Sequence, residues 1–344
     1  MTIQVTDFGQ TPDGQQVKRV VIENANGHQL SLVSWGASWQ SFVTAQGVSL
    51  VLGFDDLDGY LHNGYFLGNA VGRVAGRIDA AEFELNGKRY QLDANEGQNN
   101  LHGGEHSFSH RNWDIAYVDE AGNSVTFATT MTEAQDNFPG TMGTTVTYTL
   151  TDDNEVRLIF GATSDQDTLY NPTSHVYFNM QGVGTDARQL ELMLQAPKHL
   201  AFRPDKIPTG ELLSVAETAF DFQTATKIGD NIDRLPSDAF DKKFDDAFAL
   251  SYEPGTPAAI LTDPQSKRSV EMTTDRNAVI FFITNPAVDD YEDQAAFLAA
   301  HPYNGVALEA QTLSDAIHHP SFGDIVLPAN QHQEYVTTYA FKNI

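Results

Sequence analysis

The 344-residue sequence contains no cysteine and few basic residues. Without cysteine, the chain cannot form disulfides, thiolate metal sites or a Cys nucleophile, and this composition fits a reducing compartment. Only 20 Lys and Arg stand against 46 Asp and Glu, so the formal net charge is −26. A surface this acidic repels the phosphates of nucleic acids and of anionic lipids, which makes both poor candidate partners. A small neutral ligand is not repelled by this charge.

Long hydrophobic runs, targeting patterns and linkers are also missing. The most apolar run, Ala278 to Ile283, is far shorter than the roughly 20 residues that a membrane helix needs. The N-terminal residues MTIQVTDFGQ contain no basic segment followed by an apolar one, so no signal peptide is expected. No Pro-, Ser- or Gly-rich linker, repeat or low-complexity tract divides the chain. The sequence therefore predicts a cytoplasmic protein with one domain over residues 1–344, although a two-domain split without a boundary signal stays open. It does not decide between a monomer and a homodimer.

Turn dipeptides separate short segments in which apolar and polar residues alternate, which is the pattern of half-buried strands. Asn86-Gly87 suits a type I′ turn, and the resulting hairpin pairs Phe83 with Tyr90 and Glu84 with Arg89. Further strands are expected at residues 144–150 and 155–162, which form a second hairpin, and at residues 189–194, 269–272, 278–283, 305–310 and 334–341.

Only one segment has a convincing helical pattern. Asp289 to Ala300 begins with acidic residues, continues with Ala and Leu, and ends before His301-Pro302. The charged segment 233–246 is expected to be a loop with at most one helical turn. Because strands are many and helix is scarce, the predicted fold class is all-β: a large antiparallel β-sandwich with few short helices.

The stretch Asn171 to Met180 presents polar side chains on one face of a predicted strand. Alternation places His175, Tyr177 and Asn179 on one face and Val176, Phe178 and Met180 on the other. The first face carries hydrogen-bonding groups, and the second belongs to the core. A structural histidine beside a tyrosine is the alternative to a functional site.

A second stretch, Asn304 to Gln311, places a carboxylate beside small residues. Glu309 shares one face with Gly305 and Ala307, whose small side chains leave space above the carboxylate that a ligand could fill. The alternative is a glutamate on a solvated face, which is where most glutamates lie. The small neighbours support the functional interpretation without excluding the alternative.

Glycines recur every fourth residue in the segment from Gly68 to Arg77. Glycines at 68, 72 and 76 indicate a backbone that bends sharply or allows close approach, and the segment also contains Arg73 and Arg77. Neither a dinucleotide-binding fingerprint nor a phosphate-binding P-loop has this spacing. The segment therefore does not predict a nucleotide site.

Three histidines, His102, His106 and His110, are spaced four residues apart. This spacing would suit a metal site on a helix, but Gly103-Gly104 argue against a helix there. The segment is interpreted as a loop that presents His102. No EF-hand loop, HExxH or GxSxG motif occurs in the sequence, so no metal ligand is predicted.

Together, five segments resemble the galactose mutarotase (aldose 1-epimerase) family and occur in the family's order. They are Gly-Arg-Val-Ala-Gly-Arg ending at Arg77, Leu101–Gly104, Pro172–Asn179, Phe244–Phe248 and Gly305–Gln311. The segment Ser34-Trp-Gly-Ala37 also resembles an early Gly-Ala turn of the family. Each motif is weak by itself, but five in the correct order are specific.

This resemblance implies a mutarotase-like supersandwich with a small neutral sugar in a cleft on one sheet, and neither cofactor nor metal. The implied activity is interconversion of the α and β anomers of free aldoses, such as glucose, galactose or the reducing end of maltose. It implies that Glu309 is the general base and His175 the general acid. The residues implied to contact the sugar are Arg77, His102, Asp245 and Tyr177.

The chemistry needs such a pair, because the O1 proton must leave, the ring oxygen must gain a proton, and the C1–O5 bond must break. A carboxylate and an imidazolium on either side of C1 meet this need, and each contributes about 10²–10⁴-fold. Two departures from the family concern substrate contacts: Ile280 stands where members often have a polar residue, and Gly76 where some have Asn. Because of these two departures, the sequence does not decide which sugar is preferred.

Two other functions remain open from the sequence. A glycosidase would need two carboxylates about 5–9.5 Å apart around the scissile bond, and the carboxylate that could accompany Glu309 is Asp245. A non-catalytic sugar-binding β-sandwich would use the Arg, His and Asp contacts but would not need Glu309 and His175 together.

Overall fold

The computed structural model describes residues 2–236, 242–253, 255–285 and 302–344. Strands dominate these residues and confirm the all-β prediction. The α-helices in the described part of the chain are short: Leu57–Leu61, Glu133–Asp136 and Ile228–Arg234. Single 3₁₀ turns occur at Asp79–Ala81, Phe108–His110, Ala187–Gln189 and Pro320–Phe322.

Two sequence predictions fall partly or wholly on residues without a description. The helix expected at residues 289–300 lies outside the described residues. The charged segment 233–246 begins in the last turn of Ile228–Arg234 and ends in the strand Asp245–Ala249, and its residues 237–241 also lie outside the described part.

The largest sheet has nine strands, and its inner face carries the apolar half of each alternating segment. The predicted hairpin of residues 144–162 is confirmed, because Val146 pairs with Phe160 and Tyr148 with Leu158. All four side chains are buried, whereas the threonines that alternate with them on the first strand, Thr145, Thr147 and Thr149, are only partly buried. In spatial order the strands are Asp114–Asp119, Ser124–Met131, Met142–Leu150, Glu155–Ser164, His332–Lys342, Ser269–Thr274, Ala259–Thr262, Glu191–Leu194 and Thr226–Lys227.

A six-stranded antiparallel sheet packs against this inner face. Its residues Phe248, Phe281 and Leu308 are fully buried in the main hydrophobic cluster. Because side chains alternate along a strand, the residues between them point away from that cluster and are available for a site. In spatial order the strands are Tyr177–Phe178, Val306–Gln311, Ala278–Ile283, Asp245–Ala249, Lys198–Phe202 and Pro208–Ser214.

A four-stranded N-terminal sheet completes the core. Trp39 on this sheet packs edge-on against Phe178, with ring centroids 5.7 Å apart, and Phe42 stacks on Phe341 at 3.8 Å. One hydrophobic cluster thereby includes side chains from Val20 to Phe341 and joins all three sheets. The four strands are Thr2–Gln10, Gln16–Glu23, Gln29–Val33 and Ser38–Val43.

Short strand pairs arrange the loops over the six-stranded sheet. The predicted Asn86-Gly87 hairpin is confirmed, with Phe83 opposite Tyr90 and their rings 5.3 Å apart. The pairs are Glu82–Leu85 with Lys88–Gln91, Ala70–Val71 with Thr173–Ser174, Arg77–Ile78 with Asn100–Leu101, and Thr168–Leu169 with Val326–Leu327. Within the described ranges, no helix has the length and apolar composition needed to cross a bilayer.

The two arginines of the glycine-rich segment have different environments. Arg73 is fully buried and forms a bidentate ion pair with Asp136, with Nε–Oδ2 and Nη2–Oδ1 distances of 2.7 and 3.0 Å. Its other guanidinium N–H groups donate to Thr168 Oγ1 and to the carbonyls of Pro139 and Gly140. Arg73 therefore links its own segment to residues 136–140 and to the strand Thr168–Leu169, whereas Arg77 is partly exposed and lies in a cavity.

Candidate active site

A cavity of about 240 Å³ opens on the face of the six-stranded sheet that points away from the main core. Its sheet-side wall includes Ala247, Ile280 and Glu309, each from a different one of three adjacent strands. Loops from the N-terminal half of the chain form the opposite wall. The structure brings together in this cavity all six residues that the family resemblance assigns to the site: Arg77, His102, His175, Tyr177, Asp245 and Glu309.

Glu309 lies in the middle of the strand Val306–Gln311, directly opposite Ile280 on the neighbouring strand. Only 2 % of the residue is exposed, and its Oε2 atom has no hydrogen-bond partner among the described residues. Burial, and secondarily the charge of Asp245, raises the pKa of Glu309 well above its usual value, although Arg77 opposes this. An unpartnered buried carboxyl oxygen in a cavity is a group placed to meet a ligand.

His175 lies between the short strands Thr173–Ser174 and Tyr177–Phe178. Its backbone N–H donates to the carbonyl of Asn69, and its own carbonyl accepts from Gly68 N–H at 3.0 Å. The imidazole stacks on the ring of Tyr177, with centroids 5.0 Å apart. Burial lowers the pKa of His175 to about 4, against the opposing influence of Asp245. Backbone bonds and stacking together fix the ring.

The two buried groups are neighbours: His175 Nε2 lies 3.4 Å from Glu309 Oε1. This separation leaves no room for a sugar ring between them, so the expected placement on either side of C1 needs revision. Both groups face the same end of the cavity, where O1 and O5, which are bonded to the same carbon, can each meet one of them. Burial disfavours the charged form of both groups, so it favours the neutral imidazole of His175 and the protonated carboxyl of Glu309.

His102 is held in one tautomer by the glycine-rich segment. Its Nδ1 accepts a hydrogen bond from Gly76 N–H at 3.2 Å, while its backbone N–H donates to the carbonyl of Gly76. Burial, followed by the nearby His175 and Arg77, lowers the pKa of His102 well below its usual value. The neutral ring therefore carries its proton on Nε2 and can donate a hydrogen bond from that atom.

Arg77 and Asp245 supply opposite charges toward the mouth of the cavity. Arg77 forms a bidentate pair with Glu96, with Nε–Oε2 and Nη2–Oε1 distances of 2.5 and 2.7 Å. Asp245 Oδ2 lies 4.0 Å from Lys206 Nζ. Burial tends to raise the pKa of Asp245, but Lys206, Arg77 and Lys243 outweigh it and hold the pKa below its usual value. Asp245 is thus an ionised acceptor.

Tyr177 and Asn179 differ in their relation to the cavity. The Tyr177 hydroxyl donates to the carbonyl of Tyr65 at 2.8 Å, so this residue lines the site and supports the His175 ring. Asn179, expected on the same face, does not line the cavity. Its amide N–H groups donate to the carbonyls of Thr185 and Asn304, because the stretch is broken into two short strands rather than one.

Several lining residues were not identified from the sequence. Phe282 could have been found, because it lies two residues after Ile280 on the same strand face. The others lie in loops and turns, where no periodicity marks them. These residues include Phe66, Glu96, Lys206, Lys243 and Phe282. In the described part of the chain, no cluster of three or more His, Asp and Glu side chains could hold a metal ion.

Comparisons with known proteins identify the family of the chain. The model of the family described as aldose 1-epimerase matches residues 18–340. A maltose epimerase from Levilactobacillus brevis is 42 % identical over 335 residues, which are 96 % of each chain. An aldose 1-epimerase from Haemophilus influenzae is 33 % identical and covers 99 % of this chain and 100 % of its own.

Solved structures show the same fold. A galactose 1-epimerase from Lactobacillus acidophilus superposes with a TM-score of 0.85 at 23 % identity, covering 99 % of this chain and 98 % of its own. An aldose epimerase homologue from C. elegans superposes with a TM-score of 0.84 at 24 % identity, covering 94 % and 98 %. The predicted supersandwich architecture is therefore confirmed.

Proposed function

The chain belongs to the aldose 1-epimerase family and interconverts the α and β anomers of aldoses, and we propose that Glu309 and His175 are the acid–base pair of this reaction. The observation that carries the proposal is the 3.4 Å contact between Nε2 and Oε1 inside a cavity in which both side chains are nearly sealed from solvent. Reversible ring opening needs one proton donor and one acceptor within reach of the same carbon.

The proton balance of the pair matches the reaction. In the reactive arrangement Glu309 is the carboxylate and His175 the imidazolium. Glu309 takes the O1 proton, the C1–O1 bond becomes a carbonyl, the C1–O5 bond breaks, and His175 gives its proton to O5. After rotation about C1–C2, O5 attacks the other face of the aldehyde while both protons return. The pair starts and ends with one proton, so no other reactant is consumed.

The remaining residues hold the sugar in this proposal. Neutral His102 donates from Nε2 to a sugar oxygen, and ionised Asp245 accepts from hydroxyl groups. Arg77, oriented by Glu96, stabilises negative charge that develops on an oxygen of the opening ring. Tyr177 acts on His175 through its stacked ring. Ile280 provides an apolar surface beside Glu309, which helps to keep the pKa of that carboxyl raised.

Polarimetry of freshly dissolved α-glucose, α-galactose and α-maltose tests the proposal directly. We expect the optical rotation of each sugar solution to approach its equilibrium value faster with the protein than without it. Release of reducing sugar from an aryl glycoside would instead support a glycosidase, for which Asp245 would have to be the second carboxylate. Binding of sugar without faster mutarotation would support a non-catalytic binding protein.

The rate should depend on pH as a bell-shaped curve. As pH falls through the His175 pKa of about 4, the pair gains a second proton and the base is lost. As pH rises above the raised pKa of Glu309, the pair loses its proton and the acid is lost. Measurement of kcat/KM from about pH 3 to about pH 10 checks this. A profile that stays level at both ends would contradict the two-group assignment.

Replacing His175 with Asn should lower kcat about a hundredfold, because Asn can form hydrogen bonds but cannot deliver a proton. His106→Asn is the matched control, since His106 is exposed and does not line the cavity; its kcat should equal that of the wild type. Both variants can be compared by the polarimetric rate with glucose. If His175→Asn keeps most of its turnover, another group must protonate O5.

Substrate range and organisation follow as further parts of the proposal. Because one relative is named maltose epimerase, we include the reducing end of maltose among the substrates, with glucose and galactose. The absence of cysteine fits a cytoplasmic location. The single hydrophobic cluster that joins the three sheets supports one domain, as a monomer or homodimer.

A further inference from the structure

A buried glutamine lies beside Glu309 in the catalytic cavity and takes no part in the mechanism described so far. Gln311 follows Glu309 by two residues on the same face of the strand Val306–Gln311 and lines the same cavity. The residue has no solvent exposure, and its Oε1 atom has no hydrogen-bond partner among the described residues. A buried amide oxygen without a partner costs free energy unless a ligand donates a hydrogen bond to it.

The surroundings of Gln311 leave its amide group available to a ligand. Its Nε2 donates to Ser314 Oγ at 3.4 Å, which is long for a hydrogen bond. Across from these two side chains lies Gly76, where a Cβ atom would be 2.5 Å from Ser314 Oγ and 3.3 Å from Gln311 Nε2. Gly76 also has a φ angle of +74°, which disfavours any other residue. The glycine therefore keeps a further side chain out of this part of the cavity.

His175 and Gln311 lie on opposite sides of Glu309. Ala307 precedes Glu309 by two residues and pairs with Tyr177 on the adjacent strand. The imidazole of His175 stacks on the ring of Tyr177, with centroids 5.0 Å apart, and therefore lies toward the Ala307 side. Gln311 is about 7 Å from Glu309 along the strand in the other direction.

This arrangement determines which sugar atom meets Gln311. The Glu309 and His175 side chains are only 3 % and 7 % exposed and mark the deep end of the catalytic cavity. In the proposed reaction C1 lies at this end, with O1 at Glu309 and O5 at His175. The remaining ring neighbour of C1 is C2, on the side away from O5. The hydroxyl group on C2 is consequently directed toward Gln311.

We propose that Gln311 binds the C2 hydroxyl of the sugar and makes this hydroxyl a determinant of substrate choice. Oε1 accepts the hydroxyl hydrogen, and Nε2 donates to the hydroxyl oxygen in place of its long bond to Ser314. The substrate class assigned here is aldoses with a hydroxyl at C2, because a 2-deoxy sugar leaves the buried amide without a partner. The inference rests on the proposed function, which places C1 at Glu309 and His175.

The contact also serves the step in which the anomer changes. After the C1–O5 bond breaks, the aldehyde must rotate about the C1–C2 bond before the ring closes again. A hydrogen bond to the C2 hydroxyl holds C2 in place during this rotation, so that only the C1 carbonyl turns. Positioning of this kind lowers the entropy cost of ring closure.

A comparison of α-glucose with 2-deoxy-α-glucose tests the contact in the unaltered protein. The measurement is kcat/KM by polarimetry, with each value divided by the rate constant of the uncatalysed rotation of that sugar. We expect the normalised value for 2-deoxyglucose to be at least about tenfold lower than that for glucose. Equal normalised values would overturn the proposal. If the protein accelerates the rotation of neither sugar, the proposed function itself fails.

Gln311→Leu then assigns the effect to this side chain, because Leu has a similar size and no polar atom. For glucose kcat/KM should fall about tenfold, whereas for 2-deoxyglucose it should stay within about twofold of the wild-type value. Gln331→Leu is the matched control, since Gln331 is exposed and does not line the cavity; neither sugar should be affected. Equal losses for both sugars, or no loss for glucose, in Gln311→Leu would contradict a contact with the C2 hydroxyl.

Discussion

Glu309→Gln should lower kcat for anomer interconversion by about 10³-fold. Gln has the size of Glu and keeps a carbonyl oxygen, but it cannot take the O1 proton. Because Glu309 is buried at the deep end of the catalytic cavity, 3.4 Å from His175, no solvent-exposed base can replace it there. The measurement is the polarimetric rate with glucose and maltose, corrected for the uncatalysed rotation.

A control substitution and a stability measurement show whether the loss of activity in Glu309→Gln is specific to this carboxyl and does not result from unfolding. Glu271→Gln, on the outward face of the nine-stranded sheet, should leave kcat unchanged. The raised pKa of Glu309 means that its ionisation disfavours the folded state above the usual carboxyl pKa. Glu309→Gln should therefore melt at or above the wild-type temperature at pH 8. Near-normal turnover in Glu309→Gln would remove this residue from its role.

Asp136→Asn should destabilise the protein by about 3–5 kcal/mol, because it leaves the Arg73 guanidinium buried without its counter-charge. Arg73 is fully buried, and Asp136 accepts two of its hydrogen bonds. No other ionised group among the described residues is hydrogen-bonded to Arg73 in the structure. Chemical denaturation followed by tryptophan fluorescence measures the loss in the free energy of unfolding.

Asp7→Asn provides the comparison for an exposed pair. Asp7 and Lys18 are also in contact, at 2.6 Å, but their side chains are 70 % and 41 % exposed. Removing this pair should cost less than about 1 kcal/mol, since solvent screens exposed charges. If the two substitutions had similar effects on unfolding, burial would not be the property that makes the Arg73–Asp136 pair important.

Most of the fold could be predicted because the alternation of apolar and polar residues determines strand faces directly. Phe83 and Tyr90 lie on strands that are joined by a two-residue turn, so they could pair in only one register. Sheet membership could not be predicted in the same way. The strand His332–Lys342 lies between Glu155–Ser164 and Ser269–Thr274, and nothing local in its sequence identifies those neighbours.

In the candidate site, too, the alternation of residue types could predict only residues that lie on strands. Glu309 was recognisable because small residues flank it on its own strand face. Glu96, which orients Arg77, lies in a turn 19 residues further along the chain, and Lys206 is more distant still. Such contacts depend on how loops cross above a sheet, and no periodic pattern records them. The lowered pKa of His175 likewise follows from burial, which only the assembled structure reveals.

The strand Val306–Gln311 serves two selective demands at once. Val306, Leu308 and Ala310 belong to the main hydrophobic cluster, whereas Ala307, Glu309 and Gln311 face the other way. Neighbouring residues of this strand are therefore constrained by different requirements. The residues that face the core are constrained by folding, and those that face the cavity are constrained by catalysis and sugar binding. An evolutionary shift in sugar preference can proceed along alternate positions while the interleaved ones stay fixed.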